Sequence, residues 1–225
     1  MLAPSLSGSS YLIPYIFAKI LMKKYKVKII GPTFGKKIFI KDKSVDVEKL
    51  EPSIKNPVQV GMMNLIPINF ARLMKNDFDV IHAFKLLPHT APVCAVAKKI
   101  LNKPFVLSID DYDKASPKNI FKKAILSLAE KSYKVADQIT VASSFLKKIY
   151  GGTLIYYPIN TDKNKPSKSA AKKIRKKLGL EGKVVITYIG TLYETKGIDI
   201  LIKAVRKIRR DDVKLVLFEF GKETE

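Results

Sequence analysis

The 225-residue chain is 47% hydrophobic, an ordinary globular content that permits a sizeable core in one large domain or two small ones. Its 42 Lys+Arg against 20 Asp+Glu set a formal net charge of +22, a field suited to nucleic acid, an acidic membrane surface or a phosphorylated small molecule. A single cysteine, Cys94, excludes disulfide scaffolds and cysteine-rich metal sites within the chain.

The excess of base is spread evenly. Residues 1–166 hold 27 basic and 12 acidic side chains and residues 167–225 hold 15 and 8, so no tail or arm concentrates it. A lysine-rich solvated surface accounts for this as well as a dedicated patch does. Neither zinc-finger spacing nor an RNA-binding aromatic motif is present, and no nucleic-acid partner is assigned.

From the N-terminus, residues 1–5 leave little of a first strand before the turn Ser7-Gly8-Ser9-Ser10. Beyond it Leu12, Ile16 and Ile20 stack with Ile13, Phe17 and Leu21 at helical spacing, with Ser9 or Ser10 placed to cap the helix. The apolar run 11–22 contains Pro14 and Lys19 and falls short of the roughly 20 residues a bilayer span needs. It also lacks the basic leader and cleavage site of a signal peptide, so a cytoplasmic protein is expected, free or lying on the inner face of a membrane.

Short runs rich in Val and Ile follow at 27–30, 78–84, 105–109, 138–142, 154–157, 184–189 and 213–218, the pattern of strands covered on both faces. Residues 32–57 show no clear pattern and stay unassigned. Cys94 lies in the apolar stretch 91–97, where a small buried side chain is expected rather than a nucleophile. Ser116 and Pro117 mark a helix start, and Phe121, Ala124, Ile125 and Leu128 form its predicted buried stripe. The polar stretch 158–172 reads as a linker between domains. The last helix shows Ile198, Leu201, Ile202, Val205 and Ile208 on one face and Lys203, Arg206, Lys207 and Arg210 on the other. Regular alternation of strand and helix predicts an α/β chain with right-handed crossovers and doubly wound, Rossmann-like parallel sheets. The division is a first domain over 1–160, then linker and the opening βαβ unit of a second over 161–225. That second piece is shorter than a usual domain of roughly 100 residues, which leaves either a shortened gene product or a sheet completed differently.

Three segments carry chemistry. A strand that ends at Gly190, followed by Thr191 and then by Lys196-Gly197 before a helix, aims free N–H groups and a positive dipole end at whatever lies above the strand; Lys196 adds a full charge, although a surface lysine in a βα loop has the same look. Gly8 and Ser9 could cradle an anion or an acceptor sugar, or serve as a plain serine-rich cap. Asp110 and Asp111, in the run Asp110-Asp111-Tyr112-Asp113, stand at the C-terminal end of a strand, where α/β proteins place their chemistry. His82 reads as a satisfied buried or rim histidine, His89 has no identifiable partner, and no GxSxG nucleophile elbow is present.

Four segments in order resemble the family 4 (group 1) glycosyltransferases of the GT-B fold: SGSS at 7–10, ADQITVASSFLK at 136–147, LIYYPINTDKNKP at 154–166 and, most specifically, YIGTLYETKGIDILIKAV at 188–205. The resemblance implies transfer of a hexose from a nucleotide diphosphate sugar to a hydroxyl acceptor, glycan or lipid-linked, by a typically retaining, metal-independent route. It implies that 1–160 is the acceptor side, that Lys196 holds the donor diphosphate with Gly190, Thr191 and Gly197 around it, and that Asp110 and Asp111 face the reacting carbon. Thr191 stands where the family places an arginine, and Asp110 where it more often has a histidine. The Asp-Tyr-Asp spacing also fits the metal signature of the other large glycosyltransferase fold, GT-A, but no metal or cofactor is assigned. The family's donor-gripping pair of glutamates would lie past Glu225, so the chain alone is expected to have little activity. The rival expectation is a non-catalytic relative that docks on a protein or on an anionic membrane through Lys118, Lys122 and Lys123 with Phe121 and Ile125 beside them.

Overall fold

The computed structural model describes residues 1–34, 37–52, 58–115, 119–162, 164–192 and 196–219. The chain divides into two units, Met1–Ile159 and Asn160–Glu225.

The first unit is built on parallel strands β1 (Lys28–Pro32), β2 (Asp46–Leu50), β3 (Ile81–Phe84), β4 (Phe105–Ile109), β5 (Gln138–Val141) and β6 (Thr153–Leu154). Leu2 joins the β1–β2 pair to the other four by bridging Ile30 on one side and Ala83 on the other. Backbone bonds Leu2 N to His82 O at 2.7 Å and Ala3 N to Ile30 O at 2.8 Å hold it there. The few residues that looked too short for a first strand thus take a central place, because strands on both sides pair with them. Adjacent residues fall into opposite cores: Leu2 and Ile30 join the large cluster with Leu65, Phe105 and Leu107, whereas Ala3 and Ile29 join Leu6, Tyr11 and Ala18. That alternation is the mark of a sheet covered on both faces.

Helices α1 (Leu12–Leu21), α2 (Val58–Lys75), α3 (Ala91–Leu101), α4 (Ile120–Glu130) and α5 (Ser144–Tyr150) provide the cover. Several differ from expectation. β2 lies in the unassigned region, since DVEKL carries three charges and gives no strand-like run; as a partner of β1 alone it can leave them wet. In α1 neither Ser9 nor Ser10 makes a cap bond, for both sit in a preceding 3₁₀ turn, Ser9–Tyr11, and the face turned inward carries Tyr11, Pro14 and Ala18. A helix apolar nearly all round does not reveal its phase. The cap of α4 is Asn119, whose side chain accepts from Phe121 N at 2.8 Å and Lys122 N at 3.2 Å; the expected start at Ser116 and Pro117 lies outside the described residues, as does Lys118. Its inward face is Leu126 and Ala129, not the predicted stripe, and Phe121 and Leu128 point out. Cys94, wholly buried in α3, has its thiol pushed up to about 12 by burial, which leaves it unreactive.

Gly151 and Gly152, both at positive φ, turn the chain from α5 into β6. At Gly152, with φ of +81°, an added Cβ would run into the carbonyl of Ile139 on β5. Gly152→Ala is therefore expected to cost about 2–3 kcal/mol, whereas Gly151→Ala, with open space around its Cβ, should cost less; urea denaturation of the two variants checks the difference.

The second unit contains α6 (Lys168–Lys177), β7 (Val184–Ile189), α7 (Ile198–Arg206) and β8 (Val213–Phe218). β7 and β8 pair in parallel along their whole length, from Val184 with Val213 to Ile189 with Phe218. The helix α6 begins inside the stretch read as linker. Its cap is Ser167, which accepts from Ala170 N at 3.2 Å, and Ile174 is its one large apolar side chain, so no periodicity announced it. Arg175 ties it to the strand entry by donating to Leu180 O at 3.1 Å and Lys183 O at 2.8 Å.

Candidate functional site

In parallel strands all C-terminal ends open on one edge of the sheet, so the turns after Leu2, β3 and β4 share an edge. The chain leaves β3 at Phe84 and enters Lys85 with φ of +68°, a left-handed conformation that a non-glycine residue seldom adopts. Lys85 N donates to Ser108 O at 2.9 Å and Thr90 Oγ1 donates to Lys85 O at 2.8 Å, which pins the backbone in that state. The side chain, 12% exposed, then meets the carboxylates that follow β4: Asp111 Oδ2 at 2.5 Å, Asp110 Oδ1 at 3.3 Å and Asp113 Oδ1 at 3.8 Å.

One cation thus serves three carboxylates. Burial opposes the charge on Lys85, but the aspartates outweigh it and hold its pKa well above the ordinary lysine value. Burial raises the pKa of Asp110 and raises that of Asp113 to about 6; Lys85 pulls both down, and repulsion from the neighbouring aspartates pushes both up. Asp110 Oδ1 and Asp113 Oδ2 are buried and accept no hydrogen bond, while the Asp111 side chain is 66% exposed. Tyr157 OH lies 3.5 Å from Asp110 O, its own pKa raised by burial and then by Asp110 and Asp111. The arrangement can accept hydroxyl protons at a sheet edge and keeps one carboxyl within reach of neutral pH. Among the described residues no group of three or more His, Cys, Asp or Glu is placed to hold a metal ion, and here the lysine ammonium is the cation among the aspartates.

Gly8 and Ser9 sit exposed in the turn that leaves the Leu2 segment. Ser7 Oγ anchors that turn with its one proton shared between two acceptors, Thr33 O at 2.9 Å and Lys37 O at 3.1 Å. Gly8 takes φ of +69° and a Cβ added there would meet nothing within 4 Å, so its role is conformational. The structure therefore puts Gly8, Ser9, Asp110 and Asp111 on one sheet edge and adds Lys85 and Asp113. Lys85 carried no sequence signal, because it meets the aspartates only through the β3–β4 pairing.

His82 is the satisfied core histidine expected. Its Nε2 lies 2.8 Å from Ser108 Oγ, which lies 2.7 Å from Thr140 Oγ1, a chain across β3, β4 and β5. Burial lowers its pKa to about 3, so it stays neutral. His89 Nε2 donates to Pro4 O at 2.9 Å and joins the start of α3 to the first segment.

In the second unit Gly190 ends β7, its N–H bonded to Phe218 O at 2.9 Å, and Tyr188 OH donates to Thr191 O at 3.0 Å. Lys196 is exposed, and Gly197, the cap residue of α7, takes φ of +68° and has no side chain with which to cap the helix. The part of the loop at 193–195 lies outside the described residues.

No family model matches the chain. It is similar to spore coat protein SA of Bacillus subtilis (strain 168), 27% identical over an alignment of 163 positions, gaps included, that covers 67% of this chain and 42% of that protein. It is also similar to "Putative glycosyltransferase YtcC" of the same organism, 30% identical over an alignment of 180 positions, gaps included, that covers 66% of this chain and 38% of that one. The chain therefore spans less than half the length of these curated relatives. Among solved structures it superposes on Anabaena Alr3699/HepE in complex with UDP-glucose with a TM-score of 0.69 and 21% identity, over 99% of this chain and 61% of that one. The fold is that of the GT-B glycosyltransferases, and the resemblance is to transferases.

Proposed function

We propose, from the premise that this chain is a GT-B relative of bacterial glycosyltransferases, that it takes part in moving a hexose from a nucleotide diphosphate sugar to a hydroxyl acceptor, glycan or lipid-linked. The observation that carries this is the β7–α7 turn. An exposed lysine, Lys196, stands at the start of a helix whose cap residue, Gly197, has no side chain to bond its first N–H groups, which is an arrangement that attracts a diphosphate. In a transfer reaction the departing diphosphate gains charge, and a lysine with a helix dipole beside it stabilises that charge more than the ground state. Gly190, Thr191 and Gly197 would shape this donor site. A structure of the same fold holds UDP-glucose, which makes a uridine donor the first to try.

Asp110 and Asp111, with Gly8 and Ser9 on the same edge, are assigned to the acceptor side. There the exposed carboxylate of Asp111 would receive the acceptor hydroxyl, with the buried Asp110 beside it on the same lysine. The proposal invokes no metal.

Thermal unfolding of the 225-residue chain with UDP-, GDP- and ADP-sugars tests this. A ligand at 100 times its Kd adds about 2.7 kcal/mol of stability, and the expected result is a concentration-dependent shift with one nucleotide class. No shift with any of them, confirmed by calorimetry, overturns the donor assignment.

A further inference from the structure

We infer that the outward face of α4 is a docking face for an anionic lipid surface. A helix on a soluble domain normally turns its apolar side inward. α4 does this with Leu126 at 6% and Ala129 at 4% exposure, yet it also leaves Ile120 85%, Phe121 72% and Leu128 69% exposed. At about 100° per residue these three, with the exposed Ala124 between them, fall within one arc of roughly 100° on the side away from Leu126 and Ala129.

Charge decides what would cover this stripe. Lys123 flanks the arc and Lys131 stands at its C-terminal end, both exposed. The one acidic residue of the helix, Glu130, is turned to the inner side, where it accepts from Lys114 Nζ at 2.6 Å and from Tyr150 OH at 2.6 Å. The outward arc is thus apolar at its centre, basic at its margins and free of acid. That is the make-up of a helix lying in a membrane interface, with the rings and aliphatic chains below the headgroups and the lysines reaching up to lipid phosphates. The surrounding unit favours the same partner, because residues 1–159 carry 25 basic against 11 acidic side chains. Among the described residues no helix is long and apolar enough to cross a membrane, so the contact is along the surface. The inference goes beyond the transfer reading and does not depend on it, since no residue of α4 belongs to either assigned site.

The sequence contains no tryptophan, so Phe121→Trp gives a single reporter on this face. The full chain would be floated with vesicles of phosphatidylcholine alone and with added phosphatidylglycerol. Expected are binding to the anionic vesicles, a blue shift of the indole emission of Phe121→Trp, and partial loss of binding at high salt. Phe121→Ser with Leu128→Ser should weaken binding at least about tenfold, and Lys123→Gln or Lys131→Gln about fivefold each. These positions are exposed, so circular dichroism should show an unchanged fold. No binding of the unmodified chain at low salt overturns the inference. So does binding with no change in the reporter or in the double serine variant, which would place the contact on diffuse charge elsewhere. A chain that ignores vesicles but dissociates from dimer to monomer in the double variant would make the face a contact between copies, and would equally overturn it.

Discussion

Lys85→Met is expected to destabilise the first unit by about 3–5 kcal/mol near pH 7.5, the range for stripping one partner from a buried ion pair. Methionine keeps the length of the side chain and the left-handed backbone state, so the change isolates the charge. Without the ammonium, Asp110 and Asp113, whose side chains are only 18% and 19% exposed, would face each other and Asp111 unpaired. The pH dependence fixes the cause. Asp113 already has a folded pKa of about 6 against an ordinary 3.8, so the folded state binds its proton more tightly than the unfolded chain does. Its contribution to stability is therefore fully present below the unfolded value and is lost as pH rises through about 6, a swing of up to ~3 kcal/mol. Removing Lys85 should push that folded value higher and enlarge the loss. The gap between wild type and Lys85→Met should then be widest above pH 6 and narrow towards pH 4. Urea denaturation at both ends measures it, and a gap that stays constant with pH would assign the effect to packing.

Lys196→Ala should separate affinity from stability. The side chain is exposed at a helix start, so the fold should lose almost nothing, while a charge-assisted hydrogen bond to phosphate is worth about 1.5–3 kcal/mol, or roughly 10- to 150-fold in nucleoside diphosphate affinity. Thr191 offers no second cation, so calorimetry belongs at low salt, with the diphosphate and the monophosphate side by side. A lysine that serves the second phosphate matters much less for the monophosphate. Equal diphosphate affinities of wild type and variant would remove Lys196 from the donor site and leave the β7–α7 unit as scaffold.

What could be read from the sequence was strand bounds where apolar residues run together. β4 begins and ends where its charge-free run does, because a strand packed on both faces tolerates no charge along its length. β7 and β8 also keep their expected bounds and β5 differs by one residue, but Lys214 lies within β8 and every described residue of β7 and β8 is half-buried or exposed, so these two are not covered on both faces as expected. In α7 Ile198, Leu201, Ile202 and Val205 are the half-buried face, as its division into apolar and basic sides required, whereas Ile208, expected on the same face, lies past the helix end and is exposed. The Gly190–Thr191 and Lys196–Gly197 pieces were legible because strand end, glycine, lysine and helix start lie close together in the chain.

The rest needed the tertiary structure, for two reasons. Some groups meet only through strand pairing: Leu2 becomes a central strand position because Ile30 and Ala83 flank it, and Lys85 finds Asp110, Asp111 and Asp113 across 25 or more residues because β3 pairs with β4. No local spacing encodes either. Other segments carry an ambiguous or misleading pattern. α1 is apolar on nearly every side, β2 is too charged to look like a strand, and α6 is a lysine-rich helix set by its Ser167 cap. In α4 the apolar residues were plain in the sequence, but periodicity measures only that they share a face. Which face the protein covers is decided by what packs against it, and here packing takes Leu126 and Ala129 and leaves Ile120, Phe121 and Leu128 to solvent.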